Sequence, residues 1–136
     1  MPLPSFEETP WAGPLALTEA RVAIVTTAAI NRADDRPFTG HDGSYRLIPG
    51  EIDYRDLVMT HSSVNFDRGA FHHDVNIAFP LEHLRTLAAA GEIGSVASWH
   101  YSFMGSTTAE RMEPAAREVA SRLSQEAVNL VLLIPI

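Results

Sequence analysis

Arg21-Val-Ala-Ile-Val-Thr-Thr-Ala-Ala-Ile30 decides the fold, because Val22, Ala23, Ile24 and Val25 are apolar at successive positions. A strand with one face in water alternates apolar and polar residues; an unbroken apolar run has both faces covered, as a central strand of a parallel sheet does. Residues 129–134 repeat the pattern, with Leu130, Val131, Leu132, Leu133 and Ile134 in sequence, and read as a second strand buried in the same sheet. Between the two, Pro80 opens a helix whose Leu81, Leu84, Leu87 and Ala88 fall on one stripe, and Gly91 closes it. Residues 96–101 read as another strand.

A longer helix follows. Thr107 and Glu110 have capping-box spacing, and Met112, Ala116, Val119, Leu123 and Ala127 continue an apolar face. Pro114 either kinks this helix or marks its first turn. Strands alternating with amphipathic helices imply βαβ crossovers. The expected fold is therefore α/β, a three-layer open sheet, mostly parallel and Rossmann/flavodoxin-like, with two long loops at its carboxyl edge.

Those loops are residues 31–43, rich in Asp, Gly and Pro, and residues 62–78, which carry Asp67, Gly69, His72, His73 and Asp74 with no clear period. Residues 45–48 read as a short edge strand, and residues 56–61 as a strand that runs out at His61. Open parallel sheets bind ligands beyond the carboxyl ends of their strands. The candidate ligand-binding residues are accordingly Thr26, Thr27, His61, Ser62, Asn65, Asp67, His73, Asp74 and His100.

Six histidines also raise a metal site, with His61, His72, His73 and Asp74 as its ligands, although no recognised spacing such as HExxH is present. Adjacent histidines in a loop more often point apart. His61 beside Ser62 and Ser63 does not make a nucleophile–base pair, because neighbours on a strand face opposite ways and no G-x-S-x-G elbow exists. Gly91 and Gly94 sit between a helix and a strand, the wrong order for a phosphate cradle.

At 136 residues the chain suits one core. Residues 1–19, with Pro2, Pro4, Pro10 and Pro14, read as an extended arm, and residues 20–136 as a single α/β domain. A net charge of -7 argues against nucleic acid and anionic membranes as partners, since both need clustered Lys and Arg. No run approaches the roughly 20 apolar residues that cross a bilayer, so a cytoplasmic protein is expected. With no cysteine, the chain has neither disulfides nor a thiolate nucleophile of its own.

Six stretches in order resemble the selenoprotein B family, the substrate subunits of glycine, sarcosine, betaine and D-proline reductases. They begin at Val22 (VAIVTTA), Gly43 (GSYRLIP), Asp56 (DLVMTHS), Asp74 (DVNIAFPL), Gly91 (GEIGS) and His100 (HYSFMG). The resemblance implies a selenocysteine or cysteine directly after a terminal apolar strand, hence just after Ile136, and a second cysteine beyond it. It implies a selenol that attacks the α-carbon of a small amino acid, with electrons from a thiol or disulfide partner in a reductase complex. No catalytic residue or cofactor is then carried by this chain, and the domain is expected to be incomplete at its C-terminus. A selenolate or thiolate at such a position would be stabilised by the dipole of a following helix. An apolar edge left uncovered there would favour a homo-oligomer. Two other functions fit the residues alone: a His-based metal-binding protein or hydrolase, and a non-catalytic accessory or assembly module.

Overall fold

The structure, a computed structural model, describes residues 11–65 and 67–136. The first ten residues of the expected Pro-rich arm lie outside the described residues; Leu17–Glu19, near its end, make a single 3₁₀ turn.

The protein is a mixed α/β fold around a curled, mostly parallel sheet. Strand β1 (Arg21–Thr26) is its centre. Its Val22 pairs with both Val96 and Leu130, and its Val25 with both Tyr101 and Leu133. A strand has only two edges, so β5 (Ser95–Val96) and β6 (Trp99–Ser102) share one edge of β1, while β7 (Leu130–Ile134) holds the other. All three run parallel to β1. Strand β3 (Arg46–Pro49) closes the far side of β6 in antiparallel register, Leu47 opposite Tyr101. The short edge strand expected at residues 45–48 is thus present.

Alternation along β1 splits the core. Val22 and Ile24 pack with Phe79, Leu81 and Leu84 around α2 (Leu81–Ala89), and Val25 packs with Tyr101, Phe103 and Val119 of α3 (Ala109–Gln125). The α2 stripe is the one expected, with Pro80 at the cap rather than the first turn, and Gly91 just past the end at φ +72°. Pro114 lies within α3.

Several expectations are corrected. Residues 21–30 are not one strand: the chain turns at Ala29, at φ +52°, and continues as β2 (Ile30–Arg32). Ala29 tolerates that left-handed backbone because its N–H bonds to Phe103 and its carbonyl accepts from Thr60. The strand expected at residues 56–61 is β4 (Leu57–Met59), and it pairs antiparallel with β2 in a separate ribbon instead of joining the sheet. Residues 62–78 are not all loop; Asp67 caps the short helix α1 (Arg68–His73) and Asp74 caps a 3₁₀ turn. Residues 96–101 are divided into β5 and β6. The N-cap of α3 is Thr108, while the Thr107 hydroxyl donates to the Asp42 carbonyl at 2.9 Å, so no capping box forms.

The largest correction concerns β7. The apolar run implied burial on both faces, yet Leu130, Val131 and Leu132 are each more than a third exposed and Leu133 is 68% exposed. Among the described residues β7 has one neighbour, β1, and an edge strand with nothing laid against it leaves its apolar side chains in water. No helix of the described residues is long and apolar enough to cross a membrane.

Candidate functional site

The carboxyl ends of β1 and β7 meet at Thr27. Its N–H donates to the Ile134 carbonyl at 3.1 Å, and its hydroxyl takes the Ile136 N–H at 2.8 Å. Residue 105 must come close to this junction, because Gly105 donates its N–H to the Thr27 carbonyl. A Cβ there would lie 2.5 Å from the Ile136 carbonyl, 2.9 Å from the Thr27 carbonyl and 3.1 Å from His61 Nε2. Only glycine lets these three groups converge.

His61 reaches the same place from β4. It is 4% exposed, and its Nδ1 accepts the Ser63 N–H at 3.1 Å. Burial and the nearby Arg68 guanidinium both lower its proton affinity, so the ring is neutral near pH 7, with Nδ1 as acceptor and the proton on Nε2. Arg68 itself donates to the His61 carbonyl. Across the gap, the hydroxyls of Ser62 and Ser106 lie 3.0 Å apart, and Ser62 also touches Met104 Sδ. His61, Ser63, Asn65, Gly105, Ser106 and Ile136 line an open depression of about 270 Å³. It offers hydroxyls, an amide, one neutral imidazole and a backbone carbonyl, a set suited to a small polar ligand.

The first long loop braces this edge. Arg46, 4% exposed, donates to the carbonyls of Arg36, Pro37 and Tyr45, to Ser44 Oγ and to Asp42, and its guanidinium lies 4.2 Å over the Phe38 ring. Burial pushes the Asp42 carboxyl up, but hydrogen bonds from Ser44 and the Arg46 cation outweigh it and hold the group at about 2. Phe38 in turn donates its N–H to Thr60, the residue before His61.

Of the residues singled out from the sequence, His61, Ser62, Asn65 and Thr27 come together here. Thr26 is fully buried, its hydroxyl accepting the Ala28 N–H at 3.2 Å. Asp67 and Asp74 serve as caps, and His72 and His73 are exposed on α1. Among the described residues no group of three or more His, Asp or Glu is placed to hold a metal ion.

His100 is fully buried beneath the sheet, far from solvent. Its Nδ1 accepts the Ile24 N–H at 2.9 Å, its ring meets Phe79 edge-on at 5.6 Å, and burial lowers its pKa to about 4. Sequence reasoning passed over Gly105, Ser106 and Arg68. Gly105 had a signal, a glycine directly after a strand and a buried Met; Arg68 had none, being one of ten scattered arginines.

Residues 1–135 match the family described as glycine/sarcosine/betaine reductase selenoprotein B. The chain is 34% identical to D-proline reductase subunit gamma of Acetoanaerobium sticklandii, over 86% of this chain and 49% of that protein. It is 29% identical to betaine reductase complex component B subunit beta of Peptoclostridium acidaminophilum, over 98% and 32%. It is also 29% identical to glycine reductase complex component B subunit gamma of Symbiobacterium thermophilum, over 97% and 32%. The chain therefore spans between about a third and about a half of the length of these relatives. No solved structure matches it. The chain belongs to the glycine/sarcosine/betaine reductase selenoprotein B family.

Proposed function

We propose that the chain is the amino-terminal part of a cytoplasmic, selenol- or thiol-dependent reductase subunit that acts on a small amino acid or related compound. The observation that carries this is the convergence of Ile136, Thr27, Gly105 and His61 at the carboxyl ends of two parallel strands. A selenocysteine or cysteine following Ile136 would stand at the rim of that depression, and it would supply the nucleophile toward the substrate's α-carbon.

The chain's own residues hold and orient. Thr27 fixes residues 134–136 through both hydrogen-bonding atoms of Ile136, N–H and carbonyl. His61, kept neutral by burial and by Arg68, places an uncharged imidazole beside the end of β7. Ser63, Asn65 and Ser106 provide uncharged hydrogen-bonding partners.

The same proposal covers assembly. The relatives are named as subunits of reductase complexes, which supports a partner subunit and a thiol or disulfide partner for this protein. The exposed side of β7 favours a further strand against it, completing a three-layer, doubly wound sheet in the full-length protein.

The test is turnover by the full-length protein, with its redox residue in place, given D-proline, glycine, sarcosine or betaine and a dithiol. Each carbon–nitrogen bond reduced should oxidise one dithiol to a disulfide. Loss of roughly a hundredfold or more in kcat in His61→Asn is expected. No turnover of any of the four by a correctly loaded protein would remove the reductase function.

A further inference from the structure

We propose that the trough between α3 and β7 is the seat of an amphipathic helix formed by the residues that follow Ile136 in the full-length protein. This rests on the chain being the amino-terminal part of a longer subunit, and not on the chemistry proposed for that subunit.

Exposure marks the place. Residues paired across neighbouring strands share a face of the sheet, so Val131, opposite Ala23, and Leu133, opposite Val25, stand on the α3 face. They are 36% and 68% exposed. On the other face Ile134 packs against the α2 core. Helix α3 continues the uncovered surface. Its Glu118 accepts the Tyr45 hydroxyl at 2.7 Å and its Arg122 guanidinium lies 5.8 Å from the centre of the Tyr45 ring, so the flank that holds these two charges is turned toward β3. At 3.6 residues per turn, Ala109, Ala116 and Ala120 fall on the opposite flank, toward β7. All three are exposed. Methyl groups on one wall and Val131 and Leu133 on the other make an apolar trough, and side chains as small as alanine let another helix approach closely.

Topology identifies the occupant. The connection from β1 to β5 steps toward β3 through α2, and the connection from β6 to β7 steps back past β1 through α3. The two helices cover opposite faces, as right-handed crossovers require of opposite steps. Among the described residues the outer edge of β7 has no strand beside it, and Leu130–Ile134 carries none of the charges or prolines that blunt a permanently exposed edge. A connection that leaves Ile136 and adds a strand to this edge steps the same way as α3 did. A right-handed crossover then lays its helix on the α3 face, over Leu133 and beside Ala120. The chain spans between about a third and about a half of the length of its relatives, which leaves ample chain for such a unit.

The experiment uses the full-length protein with photoleucine, the diazirine analogue of leucine, in place of Leu133. Irradiation of the monomer should link position 133 to residues within about 30 positions after Ile136, the span of one crossover unit. Ala120→Arg, which fills the trough, should lower the Tm of the full-length protein by about 5 °C or more. Ser121→Arg, on the outer side of the same helix, should shift it by less than about 2 °C. Links from position 133 to a second copy, to a partner subunit or to a more distant part of the chain, no link to the segment after Ile136, or an Ala120→Arg protein as stable as the parent would overturn the assignment. The crosslinking needs no change at Ala120, so it decides the matter even if Ala120→Arg fails to fold. A helix found in the trough of a full-length protein that turns over no substrate would leave the assignment in place and remove only the reductase function; turnover with position 133 linked elsewhere would do the reverse.

Discussion

Lowering the pH should destabilise the protein in two steps, and most of the upper one belongs to His100, with His61 adding to it. The ring is fully buried against Phe79, with Glu126 and Arg85 as the charged groups that act on it in opposite directions, and burial dominates. Its proton affinity falls from 6.5 to about 4. Because the folded value is the lower one, the unfolded chain binds more protons between these limits, and stability must fall as pH falls through that window. Each tenfold change in proton affinity is worth about 1.4 kcal/mol, so the loss between pH 7 and about pH 4.5 comes to roughly 2.5 kcal/mol. Asp42, held at about 2, adds its own loss only below the ordinary carboxylate range. The assay is urea unfolding at a series of pH values for the parent and for His100→Asn, whose amide oxygen can still accept the Ile24 N–H but does not titrate. The variant should start less stable and lose most of the upper step, keeping the smaller part that His61, whose proton affinity is also lowered, contributes. A parent whose stability is flat from pH 7 to about pH 4.5, or a folded His100 that titrates near 6.5, would refute the reasoning.

Gly105→Ala should cost about 1–3 kcal/mol and shift the His61 resonances, because its Cβ would overlap the Ile136 and Thr27 carbonyls; urea unfolding and NMR would show both, and an alanine accepted without change would mean the two strand ends do not meet as described. Ala127 closes α3 at φ +57°, with Val128 N–H on the Leu123 carbonyl and Ala127 N–H on that of Ser124. Ala127→Gly should therefore stabilise the fold by about 0.5–1 kcal/mol in thermal or urea unfolding, and a destabilised glycine variant would contradict the left-handed cap. Leu133, the most exposed residue of β7, should drive concentration-dependent association; Leu133→Lys should reduce it in sedimentation velocity, and unchanged association would place the contact elsewhere.

The centre of the fold was legible because β1 is apolar at successive positions and α2 has a clean stripe with a glycine past its end. Both signals are local and need no knowledge of partners. The pairing of β4 was not legible: Leu57, Val58 and Met59 are as apolar as a sheet strand, and only the turn at Ala29 sends β2 away from the sheet to meet them. Neither was the exposure of β7, since apolar sequence states what a strand needs and says nothing of whether a neighbour covers it. His61 and Thr27 were found because strand ends in parallel sheets collect ligands. Gly105 and Ser106 lie far from His61 in sequence, and their approach to it depends on the β1–β7 register and on the hydroxyl contact between Ser62 and Ser106.

A redox residue at the rim of the depression is tested most directly at the codon after Ile136. Sequencing the native gene through its next hundred or so nucleotides should reveal an in-frame UGA or cysteine codon immediately after Ile136, then a second cysteine and an amphipathic-helix pattern. An ordinary stop codon with noncoding sequence beyond it would contradict the central claim, because the depression beside His61 would then have no redox residue to serve.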